Sequence, residues 1–223
     1  MISRTLFIRS FLLTGSIIPR SSYCSSSKSC WSCSRSVVVK DKFFCSSCGS
    51  LLAVQNQDYF TLLDIPKTFE LDSTSLTTSF RRLQSVLHPD KFSQKSEQEK
   101  ENSLAWSSLV NKAYKTLNAP LERGKYLLQQ DGIVITEENT SVDPDFLMEM
   151  MERNEQVEDA TRAEDLTIIV QSLRSDIDQL YHSLRVEFAK ADMEKAKTTL
   201  VRLKYLLNIE RTIKDKLLEL QMK

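Results

Sequence analysis

The sequence predicts an all-α chain: a helical hairpin unit, then a three-helix bundle, with a small four-cysteine ribbon in front. Three observations carry this. Glycine and proline are scarce, four and five in 223 residues, while Leu, Glu, Lys and Gln are plentiful in the second half. Apolar residues recur at spacings of three and four from about Leu76 onward. Between residues 30 and 48 stand two Cys-x-x-Cys pairs.

Thirty basic and thirty acidic residues cancel, so bulk charge points to no nucleic-acid partner. The distribution is uneven. Residues 1–40 hold six Lys/Arg and no acid, whereas residues 137–165 hold eleven acids against Arg153 and Arg162. Residues 1–27, with Arg4, Arg9 and Arg20 among Leu, Phe, Ile and Ser, have the composition of a mitochondrial transit peptide. The rival is a secretory signal around Phe11–Ile18. Gly15 and Ser16 interrupt that run, and it is too short to span a bilayer. The expected location is the mitochondrial matrix, with a cytoplasmic pool left open, and no membrane partner is expected.

In residues 28–50, Cys30 and Cys33 are followed after eleven residues by Cys45 and Cys48. Each Cys-x-x-Cys turn aims two thiolates at one ion, and two turns complete the tetrahedron that Zn²⁺ accepts. With four protein ligands and no open position, a zinc there is structural. Val37–Val39 and Phe43–Phe44 supply short β-forming runs, with the aromatics expected in the ribbon's own core. Two disulfides or an iron–sulfur cluster are the other readings of four cysteines. Cys24 precedes the first pair and receives no role.

The hairpin unit spans residues 57–131. After a connector at Leu51–Gln57, Tyr59, Phe60, Leu62 and Leu63 form a brief helix stopped by Pro66. Leu76, Phe80, Leu83 and Leu87 mark one face of a second helix, capped by Asp72 or Ser73. Arg81 and Arg82 fall off that face. Pro89 disfavours the α region at His88, so the helix ends there. A third helix begins near Gln94–Glu99 and runs to about Asn118, with Trp106, Val110, Ala113 and Leu117 facing inward. His88-Pro89-Asp90 therefore sits at an exposed tip, followed by Lys91. Pro120 opens a short fourth helix that stops at Asp131-Gly132.

Residues 143–221 contain three helical blocks. The first starts at Phe146 and ends near Ala160. The second runs from Leu166 to Phe188, and the third carries Leu200, Leu203, Leu207 and Leu217. A break at Ala189–Asp192 favours a bundle over one long coiled coil. In the first block Glu149, Glu152, Glu155 and Glu158 recur beside Leu147, Met148 and Met151. This is either a solvated acidic face over core methionines or a docking surface with adaptable methionines and orienting carboxylates.

Asp58-Tyr59-Phe60, His88-Pro89-Asp90-Lys91-Phe92 and Ala113-Tyr114-Lys115-Thr116-Leu117 together resemble a J domain, the module by which co-chaperones stimulate Hsp70 ATPases. With Tyr126-Leu127-Leu128 and Phe146-Leu147-Met148-Glu149 added, residues 57–220 resemble the HscB family, J-protein co-chaperones of iron–sulfur cluster biogenesis. The cysteine pairs are similar to the zinc appendage of its animal mitochondrial members. The resemblance implies that Hsp70 reads His88, Pro89 and Asp90, with Lys91, Arg81 and Arg82 as a basic flank. The flank's plainer reading is solvated charge. It also implies that a cluster scaffold of the IscU type binds Leu147, Met148, Met151, Glu152, Glu155 and Tyr205. Met151 stands where a leucine is usual, and Tyr205 where a phenylalanine is usual.

The implied function is to deliver the scaffold to a mitochondrial Hsp70 and stimulate its ATPase, promoting cluster transfer. No catalytic residue is expected. His88 and Asp90 lack a neighbouring nucleophile, and His182 is the only other histidine. Two alternatives stand beside this: a general J-protein chaperone for unfolded clients, and a zinc-ribbon nucleic-acid-binding factor. A homodimer is left open.

Overall fold

The structure, a computed structural model, describes residues 29–38, 41–55, 57–136 and 142–221. The presequence reading of residues 1–27 and Cys24 lie outside the described residues. Seven α-helices follow one another among the described residues: α1 Tyr59–Leu63, α2 Ser73–Leu87, α3 Glu97–Asn118, α4 Pro120–Gln130, α5 Pro144–Asp159, α6 Ala163–Ala189 and α7 Met193–Gln221. The all-α prediction holds.

Local chemistry sets the boundaries. The Asp58 carboxylate accepts the Thr61 amide at 3.0 Å and starts α1, and left-handed Asp64 (φ 57°) ends it. Asp72 is the cap of α2, accepting the Thr74 and Ser75 amides at 3.0 Å each. The Ser75 hydroxyl and these amides hold its carboxyl below the usual carboxylate range. Helix α3 starts at Glu97, within the expected Gln94–Glu99 stretch, after a 3₁₀ turn takes up Pro89–Phe92, and Ser96 is the residue that accepts the Glu99 amide. Helix α4 stops at Gly132 (φ 80°), whose amide returns to the Gln129 carbonyl. The α6–α7 break falls at Lys190–Asp192, with Ala191 in the left-handed region (φ 56°).

Helices α2 and α3 form the antiparallel hairpin, sealed by Leu76, Leu83 and Leu87 against Trp106, Val110, Ala113 and Leu117. Phe80 stacks on Tyr114 at 4.2 Å. Tyr126 of α4 locks α1 in place. Its hydroxyl donates to Asp58 (2.9 Å) and accepts from the Tyr59 amide (3.0 Å), and its ring stacks on Tyr59 at 4.4 Å. Burial first, and then the Asp58 carboxylate, push its phenol up to about 12.

The bundle is a long α6–α7 hairpin with α5 laid mainly on α7. Leu200, Leu203, Leu206, Ile209 and Ile213 of α7 meet Leu166, Leu173, Ile177 and Leu184 of α6 in one apolar seam. Helix α4 packs on α7 and joins the two units. Phe69 stacks on Phe188 at 4.9 Å, and the Arg123 guanidinium lies 5.2 Å from the Phe69 ring centre.

Two expectations about the ribbon are corrected. Its β-forming runs make only isolated bridges, Ser29–Ser36 and Phe44–Leu51, among the described residues. Phe43 and Phe44 leave the ribbon's own core and pack against the main one, with Phe43 edge-on to Trp106 at 4.9 Å. The physical reason is area. A ribbon core of Cys30, Cys45 and Leu52 cannot cover two phenyl rings, whereas the adjoining helices can. Leu51 and Leu52 of the connector are buried.

Gly124 is where α4 comes closest to α7: a Cβ there would stand 2.6 Å from a Leu200 methyl. Leu200 is itself buried, so its methyl has little room to retreat. Gly124→Val is expected to destabilise the chain by about 1–3 kcal/mol, read as a lowered thermal midpoint by circular dichroism.

Candidate functional site

Three places collect the residues singled out from the sequence. The first is the thiol cluster. Its two knuckles are built alike. The Cys30 amide donates to the Arg35 carbonyl and the Ser34 amide to the Cys30 carbonyl. The Cys45 amide donates to Ser50 and the Gly49 amide to Cys45 in the same way. Each knuckle needs a left-handed residue after its second cysteine, supplied by Ser34 (φ 59°) and Gly49 (φ 74°). Buried Asp41 ties the knuckles together by accepting the Val38 and Ser46 amides, both at 3.2 Å.

All four sulfurs lie within 4.8 Å of one another and are unbridged. Cys30 and Cys48 are 3.7 Å apart, Cys33 and Cys45 3.8 Å. Four thiolates at about 2.3 Å from one Zn²⁺ would have tetrahedral edges of about 3.75 Å. The spacing therefore fits a single tetrahedral ion and is too tight to wrap a multi-iron cluster. Hydrogen bonds from the Ser50 side chain and backbone bring the Cys48 thiol down to about 6. The Arg35 amide also lowers Cys33, but desolvation and the three neighbouring sulfurs push it up to about 11. A cation at the centre would relieve that crowding.

The cluster is bolted to the helices. Leu51 presents its carbonyl to both the Trp31 indole (2.9 Å) and the Asn102 amide (2.8 Å), and Leu52 presents its own to the Trp106 indole (2.7 Å). Lys42 donates to the Thr61 (2.6 Å) and Leu62 (3.1 Å) carbonyls at the end of α1. Burial lowers its pKa.

The second place is the hairpin tip. Helix α2 ends at Leu87, and His88 turns extended (ψ 133°) ahead of Pro89. Phe92 anchors the tip inside, while His88 and Asp90 face solvent, their side chains 51% and 89% exposed. The His88 Nδ1 accepts the Asp90 amide at 3.3 Å, and the Lys91 amide donates to the His88 carbonyl at 3.0 Å. From α3, buried Ser103 donates to the Leu87 carbonyl at 2.7 Å. Arg81, Arg82 and Lys91 are all exposed. Arg82 also reaches Asp64 at 3.4 Å.

The third place is the outer face of the bundle. Met148 and Met151 are among the most exposed large apolar side chains of the described residues, at 61% and 64%. Leu147 is half-buried, Met150 points inward, and Glu152 and Glu155 face solvent. Tyr205 of α7 joins this face through Phe146, whose ring meets it edge-on at 5.8 Å. Arg202 lies 5.2 Å from the other partner, the Phe146 ring. The sequence marks Phe146 as a helix start and part of the Phe146–Glu149 motif without assigning it a contact, and gives Arg202 no role. The spacing Arg202–Tyr205, one helical turn, was the available signal.

A family model described as the HSCB C-terminal oligomerisation domain matches residues 142–214. The mouse iron-sulfur cluster co-chaperone protein HscB is 41% identical over 189 residues, spanning 83% of this chain and 81% of that protein. The Arabidopsis thaliana iron-sulfur cluster co-chaperone protein HscB homolog is 31% identical over 82% of this chain and 72% of its own length. The crystal structure of human co-chaperone protein HscB superposes with a TM-score of 0.81 at 38% identity, covering 85% of this chain and 98% of the human one.

Proposed function

The chain belongs to the HscB family of iron–sulfur cluster co-chaperones, and from that premise we propose that it delivers a cluster scaffold protein of the IscU type to a mitochondrial Hsp70. It stimulates the Hsp70 ATPase and so promotes cluster transfer to acceptors. The observation that carries this is the pairing of two exposed faces on one molecule: a held, solvent-facing His88-Pro89-Asp90 tip and a methionine-rich acidic bundle face. In this reading residues 1–27 are a transit peptide to the matrix, 28–50 the zinc ribbon, 57–131 the J domain and 143–221 the scaffold-binding bundle.

Hsp70 contacts are assigned to His88, Pro89 and Asp90, with Lys91, Arg81 and Arg82 as the basic flank. The tip is fixed before any partner arrives, because Phe92 and the Ser103–Leu87 bond hold its base. A preformed loop loses less entropy on binding. Scaffold contacts are assigned to Leu147, Met148, Met151, Glu152, Glu155 and Tyr205. The methionines adapt to an apolar surface, and the carboxylates orient a basic one. Holding scaffold and Hsp70 on one chain raises their effective concentration for each other. The chain itself performs no chemistry in this reading. A homodimer through the bundle is a second reading, favoured by the description of the matching family model.

Cys30, Cys33, Cys45 and Cys48 are assigned as ligands of a structural Zn²⁺, which when bound would neutralise the thiolates and fix the two knuckles. This reading assigns the ribbon no nucleic-acid role. Lys42 is engaged on α1, Trp31 is engaged at Leu51, and Phe43 and Phe44 are packed inward.

Asp90→Asn is expected to abolish stimulation of the Hsp70 ATPase and leave scaffold affinity unchanged. Leu147→Ala with Tyr205→Ala is expected to do the reverse, weakening scaffold binding in isothermal titration by tenfold or more, about 1.4 kcal/mol. Metal analysis of the purified chain should find about one zinc. Acidification protonates the thiolates, so metal should be lost as pH falls and retained as it rises. Either acid release or Cys45→Ser should lower the thermal midpoint.

A further inference from the structure

Ile168, on the first turns of α6, is 68% exposed, more so than either Met148 or Met151. No packing argument explains an isoleucine there, since its neighbours Leu166 and Leu173 supply the seam. Ile168 and Ile169 form one wall of an open groove of about 270 Å³ whose other wall is Glu149 and Glu152 of α5. Arg153 lies in the same groove but is engaged twice, by Glu149 at 2.7 Å and by Asp176 at 2.6 Å. Glu152 forms no ion pair among the described residues. The groove thus offers an apolar wall facing an uncompensated carboxylate.

It is also continuous with the methionine face. Glu152 is one helical turn from Met148 and adjacent in sequence to Met151. At about 100° per residue, Leu147, Met151, Met148 and Glu152 succeed one another around the exposed side of α5, and Glu152 lines the groove with Ile168.

We propose that the scaffold-docking surface extends over α5 into this α5–α6 groove, where Ile168 receives an aliphatic side chain and Glu152 a lysine or arginine from one basic, apolar segment of the scaffold. This rests on the scaffold-binding reading above and adds to it a second anchor on a different helix. Two arguments select this occupant. The net acidity of residues 137–165 favours a basic segment over a neutral or acidic one. Continuity with the methionine face lets one partner cover both, as a standard interface of about 800 Å² per side requires.

The test is isothermal titration of the full chain with the purified apo scaffold, alongside thermal melts. Ile168→Asp is expected to weaken binding at least tenfold with an unchanged melt, and Ile168→Ala to weaken it a few-fold. Glu152→Lys should also weaken binding, with the loss shrinking at high salt. Leu218→Asp, at another exposed apolar position on α7 (59% exposed), should bind like the parent. Leu147→Ala with Tyr205→Ala serves as the reference. If that pair weakens binding and neither Ile168 variant does, the groove is not part of the surface and the proposal fails alone. If none of the variants weakens binding, the scaffold-binding reading fails and takes the proposal with it. If the parent sediments as a dimer and Ile168→Asp as a monomer with unchanged scaffold affinity, the groove is a self-contact and the proposal is overturned.

Discussion

Three buried side chains on one face of α3 hold the hairpin unit and the ribbon together. Asn102 donates to the Leu51 carbonyl, Ser103 to Leu87 and Trp106 to Leu52, at 2.7 to 2.8 Å. Each bond reaches out of the helix to a backbone oxygen that no ladder serves. Leaving any one of them unpaired would cost about 1–3 kcal/mol. Two of the bonds fasten the thiol ribbon and the third fastens the base of the His88–Asp90 tip. A single rigid helix therefore registers the metal site against the loop proposed to meet Hsp70.

The helices were legible in the sequence, and so was the thiol cluster. Apolar spacing gave α2, α3, α6 and α7, Pro89 and Pro120 marked turns, and the Cys-x-x-Cys pairs announced a tetrahedron by separation alone. The polar stripe on α3 was not legible. Nothing in their residue type marks Asn102 and Ser103 as buried, because hydropathy scores a side chain by type. Their partners lie 51 and 16 residues away in sequence. The fate of Phe43 and Phe44 was hidden for the same reason: whether an aromatic serves its own module or the neighbouring one depends on which surface is large enough to bury it. At the candidate sites, residue types were readable but supports were not. Tyr205 could be named, whereas the Phe146 ring that meets it edge-on and the Arg202 guanidinium beside that ring emerge only when α5 lies against α7.

A chain of zero net charge can still separate its signs, and this one does. Arg81, Arg82 and Lys91 cluster near the tip, while Glu149, Glu152, Glu155 and Glu158 line the bundle's outer helix. Under the proposed function, opposite potentials on the two faces would steer two different partners, an effect on association rate and selectivity more than on final affinity. The paired charges near these faces are mostly local. Arg153 is consumed by Glu149 and Asp176, and Arg162 by Asp165, so the acidic helix keeps its excess.

Two faces can cooperate only if the joint between them holds an orientation, and the joint here is built for that. Arg123 is buried between α4, the Phe69 loop and the bundle. Its guanidinium donates to the Leu117 carbonyl and sits over the Phe69 ring, and its Nε has no hydrogen-bond partner among the described residues. Burial lowers its pKa. A desolvated cation with no carboxylate partner among the described residues is costly. What the arginine adds is direction: a planar group with one carbonyl and one ring to satisfy fits in a single pose. Phe69 passes that pose to Phe188 by stacking, and Glu70–Arg185 flanks it at 3.6 Å. With Gly124 also admitting Leu200 at close range, α4 and α7 meet as one packed surface. The spacing of the two proposed docking faces is then set by side-chain packing, and the effective concentration of one partner for the other becomes a property of the fold.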